Sequence, residues 1–315
     1  MDTSERIFVA GHRGLVGSAI VRALKDGGWN NLLLRTHAEL DLTSQAGVDA
    51  FFRAERPDRV FLAAARVGGI HANDTYPVDF IRDNLFIQAN VIDAAFRHGT
   101  RKLQFLGSSC IYPRMASQPM PEEALLTSPL EPTNQWYAVA KIAGIKLCQA
   151  LRIQHGFDAI SIMPTNLYGP GDNFHPENSH VIPGLMRRFH EAKEAGAAHV
   201  DIWGTGRVLR EFLHVDDLAE ACLFLMQHYA DTRIINVGSG VEVTIRELAE
   251  TMARVVGFQG ELRFVRPEMD GTPRKLVDSS RLKSMGWKQT RELGQGLAET
   301  YAWFLENHVS GRSGA

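Results

Sequence analysis

Short apolar runs alternate with amphipathic stretches along the first half of the chain. Residues 7–10, 32–35, 60–64, 103–106 and 159–163 read as strands, and 16–25, 48–53, 86–97 and 137–154 as helices. Alternation of this kind implies βαβ crossovers and therefore a parallel sheet covered by helices. After Pro164 the texture changes. The stretch NLYGPGDNFHPENSHVIPG is rich in Gly, Pro and Asn, reads as loop, and marks the exit from the core sheet. Beyond it, helix 182–195, strand 200–203 and helices 216–229 and 245–256 suit a smaller C-terminal lobe. The expected organisation is a first domain over 1–165, to which some later segments return, a second over 166–308, and a disordered tail over 309–315 ending in SGRSGA.

Composition narrows this little. A chain of 315 residues can bury a large core and two lobes, and 44% hydrophobic with 22% charged residues is ordinary for a soluble globular protein. A formal net charge of -2 argues against a bulk nucleic-acid binder, while leaving room for a local basic patch that takes a phosphate. The three cysteines, Cys110, Cys148 and Cys222, have no CxxC spacing, which fits a reducing cytosol and excludes a zinc or disulfide framework. MDTSERIFVAGHRG lacks the layout of a secretory signal, and no apolar run approaches the roughly 20 residues of a membrane helix. A cytoplasmic protein with no membrane, metal or nucleic-acid partner is expected.

The chemistry starts at Gly11, Gly14 and Gly17, a G-x-x-G-x-x-G directly between the first strand and the first helix. Glycines there allow a tight turn and let backbone N–H groups and the helix N-terminus approach a pyrophosphate. The fold class is thus α/β, a Rossmann-type doubly wound parallel sheet with a smaller mixed α/β substrate lobe. Where an NAD enzyme ends its second strand with an acid for the ribose, LLLRTHAELDL has Arg35 and His37, with Arg13 inside the glycine loop. A guanidinium suits a 2′-phosphate through bidentate pairing, so NADP(H) is favoured over NAD. Asp41 and Leu42 fit the adenine side. A solvated strand-end charge is the other reading of Arg35.

Tyr137-Ala-Val-Ala-Lys141 is Y-x-x-x-K at the start of a helix, and spacing i, i+4 puts both side chains on one face. A nearby ammonium is expected to lower the tyrosine pKa and make the phenol a general acid near neutral pH. Ser108, at the end of strand 103–106, is placed to bond both a substrate carbonyl and that hydroxyl. Each piece is common alone; the order glycine loop, serine, Tyr-Lys is specific.

With these motifs the chain resembles the extended short-chain dehydrogenase/reductases. GHRGLVGSAI, AARVGGI, LGSSCIYP, EPTN with YAVAKIAGIKLC, MPTNLYGPGDNFHPENSHVIP, REFLHVDD, INVGSG and DGTPRK are similar to the GDP-L-fucose synthase family, from about Ile7 to about Glu306. The resemblance implies a homodimer that holds NADPH in its first domain and a GDP-sugar in its second. The implied reaction is epimerisation of GDP-4-keto-6-deoxy-D-mannose at C3 and C5, then reduction at C4. It also implies further cofactor contacts around the glycines from His12, Leu15 and Val16. Others follow the fourth strand at Leu106, Gly107, Ser108 and Ser109, with Lys141 beside them. Pro164, Thr165, Asn166 and Leu167 follow the fifth strand, and His180 completes the set.

Inverting a carbon next to a ketone requires a base on one face, an acid on the other, and stabilisation of the enolate oxygen. The resemblance places Cys110 as base and His180 as acid. Read locally, a lone cysteine after a strand is packing, and the motif set as a whole reverses that. For the GDP-sugar the resemblance favours Arg188 as ligand, with the adjacent Arg187 solvated. Trp203 lines the guanine or packs in the core. Arg210 is the diphosphate candidate, and Asp270 and Lys275 lie in a turn that closes over the nucleotide. His175 reads as a loop hydrogen-bonding residue and His214 as structural. The competing readings are another nucleotide-sugar epimerase or dehydratase, or a non-catalytic NADPH sensor. Ser109-Cys110 in place of Asp-Glu counts against a dehydratase, Arg13 and Arg35 against an NAD-recycling 4-epimerase, and the intact Tyr137 and Lys141 against the sensor.

Overall fold

The computed structural model describes residues 1–176 and 179–309. Its first half runs β1 (Ile7–Ala10), α1 (Leu15–Asp26), β2 (Leu32–Leu33), α2 (Gln45–Glu55), β3 (Arg59–Leu62), α3 (Ile70–Thr75), α4 (Pro77–Arg97), β4 (Lys102–Leu106), α5 (Gln135–His155) and β5 (Ala159–Pro164). The second half runs β6 (Asn166–Tyr168), α6 (Val181–Glu194), β7 (His199–Trp203), β8 (Leu209–His214), α7 (Val215–His228), β9 (Ile235–Val237), β10 (Glu242–Thr244), α8 (Ile245–Val256), β11 (Glu261–Val265), β12 (Arg274–Lys275), α9 (Ser280–Ser284) and α10 (Leu293–Phe304).

Six parallel strands form the main sheet in the order β2-β1-β3-β4-β5-β9. Every residue of β1 is buried, as a strand covered on both faces must be. Phe8 and Ala10 face a core shared with Val48, Phe52, Val91 and Ile145 of α2, α4 and α5. Ile7 and Val9 face Ile20 and Leu24 of α1 and Leu218 and Leu225 of α7. The chain leaves β1 toward β2 and then returns past it to β3, so the strand order reverses there. The crevice beyond the carboxyl ends of β1 and β3 is where such sheets bind ligands.

Four expectations change. Strand 32–35 shrinks to Leu32–Leu33, and helix 86–97 extends back to Pro77. The stretch 166–184, read as loop, contributes β6 at its start and the first turn of α6 at its end. Helix 216–229, assigned to the smaller lobe, is α7 and packs against the main sheet beside α1. An amphipathic pattern shows that a helix has a buried face but not which sheet covers it. The tail expected to be disordered lies outside the described residues from position 310 on.

In the remainder, β8 is central, antiparallel to β10 and parallel to β6 and β12, and β7 pairs with β11. Leu185 and Phe189 of α6, Leu248 and Met252 of α8, and Leu297 and Phe304 of α10 supply its core. Glu211 ties the two sheets together. It is fully buried, and its carboxylate accepts the Gly240 N–H at 2.6 Å and the Val277 N–H at 3.1 Å. Its main-chain oxygen accepts Asn166 Nδ2 at 2.8 Å. Among the described residues no helix is long and apolar enough to cross a membrane.

Candidate functional site

At the amino end of α1 the backbone itself forms a cradle. Gly11 has φ +84°, and a Cβ there would stand 2.7 Å from the Ala64 nitrogen on the loop after β3. A Cβ on Gly17 would meet the Gly11 carbonyl oxygen at 2.1 Å. Gly14 caps α1 without a side-chain partner, so the first N–H groups of the helix point outward unpaired. His12 carries a buried Nδ1 with no partner, and burial, then Arg13, lowers its pKa. Arg13 itself is exposed. Outward N–H groups, an exposed guanidinium and an orphaned imidazole nitrogen fit an anionic dinucleotide.

Arg35 is more engaged than either reading expected. It donates to Glu55 at 2.7 Å and to the Leu34 carbonyl at 2.9 Å, over the Phe51 ring. His37 is 84% exposed and 3.8 Å from Asp41, whose Oδ1 also accepts the Thr43 N–H at 2.9 Å. Leu42 packs against the core of the α2–α4 face. Leu15 and Val16 pack against the opposite core.

The reactive cluster lies beyond the carboxyl end of β4. Gly107 leaves no room for a side chain, since a Cβ would meet Met163 Cε at 2.4 Å. Ser108 then caps a one-turn 3-10 helix over Ser109–Ile111, its Oγ accepting the Cys110 N–H at 3.2 Å. Gly144 lets α5 press onto β4, because a Cβ there would meet Phe105 Cζ at 2.6 Å. This close approach brings the Tyr137 hydroxyl into hydrogen-bonding reach of Ser108. Lys141 is buried, donates to the Leu106 carbonyl at 2.8 Å, and lies 4.8 Å from the Phe105 ring and 5.7 Å from the Tyr137 ring.

One electrostatic expectation is overturned. Burial, and then the charge of Cys110, raises the Tyr137 pKa instead of lowering it, and the bond from Ser108 offsets only part of this. Lys141 is itself pushed down to about 7 by burial, and its ammonium is directed at a carbonyl rather than at the phenol. Tyr137 therefore stays protonated at neutral pH, ready to donate rather than to accept.

Cys110 differs from the other two cysteines. Cys148 and Cys222 are buried, and burial raises both thiols, Cys148 to about 12. Burial also pushes Cys110 up, but the Lys275 charge and bonds from Ser108, Lys275 and Asn134 outweigh it and bring it below the ordinary thiol value. The Lys275 ammonium donates to Cys110 Sγ at 3.4 Å. His180 caps α6 at the exposed rim; surrounding protein, and then Lys275, lowers its pKa. The structure thus moves Lys275 from the nucleotide turn, where it was expected, to the thiol and imidazole. The parallel pairing of β12 with β8 carries it there.

Toward the other end, Trp203 is 46% exposed and not core. Two guanidiniums flank its indole, Arg188 at 5.1 Å and Arg266 at 5.2 Å from the ring centroid. Arg188 also donates to the Asp201 carbonyl at 2.9 Å, while Arg187 pairs with Glu191 at 2.7 Å. Arg210 is half-buried and donates to the Asp270 carbonyl at 3.0 Å. Asp270, expected as a nucleotide ligand, spends its carboxylate on the turn below Trp203, accepting the Thr205 N–H and Oγ1–H, each at 2.7 Å. Pro164 ends β5, the Thr165 N–H donates to the Val237 carbonyl at 3.0 Å, and Leu167 packs against the α1–α7 core. His214 is buried and caps α7, with Nδ1 accepting the Asp216 N–H at 3.3 Å. In the 166–184 stretch, the His175 N–H donates to Asn173 Oδ1 at 3.0 Å. Sequence reading missed Asn134 and Arg266; both lie in or beside quoted motifs, EPTN and DGTPRK, and neither has a local signal.

A profile of the NAD dependent epimerase/dehydratase family matches residues 7–238. The chain is 67% identical over 306 residues to GDP-L-fucose synthase 1 of Arabidopsis thaliana, covering 97% of this chain and 95% of that one. The chain belongs to the GDP-L-fucose synthase family. To the GDP-L-fucose synthase of Escherichia coli (strain K12) it is 55% identical over 314 residues, covering 97% and 98% of the two chains. The family fold is seen in the crystal structure of a GDP-L-fucose synthetase from Naegleria fowleri bound to NADP. It superposes with a TM-score of 0.90 at 28% identity, covering 98% of this chain and 96% of that one. Among the described residues no three His, Cys, Asp or Glu side chains are grouped to hold a metal ion.

Proposed function

We propose that this protein converts GDP-4-keto-6-deoxy-D-mannose to GDP-L-fucose, epimerising C3 and C5 and then reducing C4 at the expense of NADPH. The supporting observation is the cluster itself: Ser108 and Tyr137, a pair suited to activating a carbonyl, lie against a lowered thiol, Cys110. The NADP end is Gly11 to Gly17 with Arg13 and Arg35, in a first domain over 1–165 to which α7 and β9 return; Arg188, Trp203 and Arg210 hold the GDP end in the second, drawn from 166–308.

Cys110 as thiolate removes the C3 proton, and the electron pair moves onto the C4 oxygen, where the Ser108 and Tyr137 hydroxyls donate to it. His180, as imidazolium, returns a proton on the opposite face; Cys110 then loses its proton to solvent and His180 regains one, and the reset pair acts again at C5. Bound NADPH supplies the hydride for C4. Tyr137 then delivers its hydroxyl proton to the C4 oxygen, which its raised pKa leaves it holding at neutral pH. One carbonyl serves both phases.

The decisive experiment supplies the keto sugar with NADPH or NADH in deuterated water. NADPH consumption with deuterium at C3 and C5 of the product is expected; reduction without it leaves a simple reductase, and NADPH oxidation independent of sugar removes the assignment. We also propose a cytoplasmic homodimer built on α4 and α5, which pack side by side and leave Val78 and Phe86 of one and Trp136 and Val139 of the other exposed. An isologous pairing covers such a face, and sedimentation of Phe86→Asp as a monomer checks it.

A further inference from the structure

Lys275 lies on the two-residue strand β12, held beside β8 with its Cα paired to that of Arg210. Its ammonium is 3.4 Å from Cys110 Sγ, and its charge also acts on His180. Both side chains that the proposed epimerisation needs therefore share one fixed cation, delivered from a part of the chain 165 residues distant from Cys110. Among the described residues, those that act most on Cys110 are Ser108 on its own turn, Asn134 before α5 and Lys275 on β12, with Tyr137 on α5 beside them. Lys275 is the only cation among them.

We propose that Lys275 is the positioning residue that sets the epimerising pair, holding Cys110 as a thiolate and sharpening the acidity of the His180 imidazolium. A cation stabilises a neighbouring anion and repels a neighbouring cation, so the same ammonium favours the base form of one group and sharpens the acidity of the other. A thiol on its own titrates near 8.5 and is mostly protonated at neutral pH. With Lys275 in contact, thiolate is available without moving the proton elsewhere first. The neutral phenol of Tyr137 beside it adds no competing charge.

This assignment rests on the proposed function for its purpose, but it is tested on the resting protein without any sugar. Alkylation of Cys110 by iodoacetamide, followed by intact mass against pH with Cys110→Ser as blank, reads the thiolate directly; Cys148 and Cys222 are buried and stay silent. The wild-type midpoint is expected below that of a free cysteine. Lys275→Met is expected to raise it by about one unit, a tenfold slower alkylation at pH 7, and Lys275→Arg to restore it. In turnover, Lys275→Met moves both limbs of the pH profile upward, because it relieves His180 as well; a merely structural role lowers the rate without moving the limbs. A wild-type midpoint at or above that of a free thiol overturns the proposal even if the variants fail to fold, as does an unchanged midpoint in a folded Lys275→Met. A low, lysine-dependent midpoint in a protein that does not turn over the keto sugar overturns the proposed function and leaves Lys275 standing.

Discussion

In the proposed function the two ends of the site recognise their ligands by different means. At the cofactor end the main chain does the binding: three glycines within seven residues, a helix N-terminus and one close contact to the loop after β3. At the sugar end side chains are proposed to do it, carried by the turn after β4 and by α5, α6, β7, β8 and β12. The first kind of site tolerates changes of side chain and fails when a Cβ is added. The second tolerates small backbone shifts and fails when a single functional group is removed.

The largest effect that sharpens this contrast is Tyr137→Phe, which keeps the ring and deletes the proton donor. Turnover is expected to fall about 10³-fold, as for loss of a general acid, with NADPH binding unchanged by fluorescence titration. Next is Gly17→Ala, where one methyl must displace the Gly11 carbonyl. NADPH affinity is expected to fall about 100-fold, given the 1.5–3 kcal/mol that each lost hydrogen bond to a charged group is worth. A Gly17→Ala protein that binds NADPH normally breaks the comparison. Trp203→Ala is expected to raise KM for the GDP-sugar about tenfold with kcat little changed, the magnitude of one lost base–aromatic stack.

The smallest effect concerns stability instead of ligand recognition. Asp172 is buried in the loop after β6, with Oδ1 accepting the Asn173 N–H and Oδ2 without a partner. Burial raises its carboxyl from 3.8 to about 7. A carboxyl raised on folding costs nothing below its unfolded value. The penalty grows as pH rises from about 4 to 7 and is complete above that. Asp172→Asn, which keeps the acceptor, is therefore expected to raise Tm by several degrees at pH 8 and to leave it nearly unchanged at pH 4. Equal shifts at both values show that burial of the charge is not the cause.

The same contrast explains what could be read from the chain. Gly11, Gly14 and Gly17, and Tyr137 with Lys141, are local patterns whose meaning follows from a turn or one helix face, and the main sheet follows from apolar periodicity. Strands β9 and β12, with three and two residues, carry no periodicity at all. The approach of Lys275 to Cys110 depends on β12 docking beside β8, and no spacing encodes it. The Tyr137 pKa was misjudged because proximity in sequence to Lys141 does not report burial, the larger effect, or that the ammonium is directed at the Leu106 carbonyl. Asp270 shows a related point: its carboxylate already serves the turn that carries it, a contact that no local spacing announces.

The cation shared by Cys110 and His180 has a consequence for the order of events. In the proposed cycle the pair is thiolate and imidazolium before each inversion and thiol and imidazole after it, Cys110 shedding a proton to solvent and His180 regaining one before the second. Both states sum to zero, so with Lys275 the cluster keeps a single positive charge throughout. The net charge facing the proposed diphosphate site near Arg210 is then the same before the first inversion, between the two, and after the second. Nothing in the electrostatics loosens the sugar nucleotide halfway, and two stereocentres can be reset in one residence.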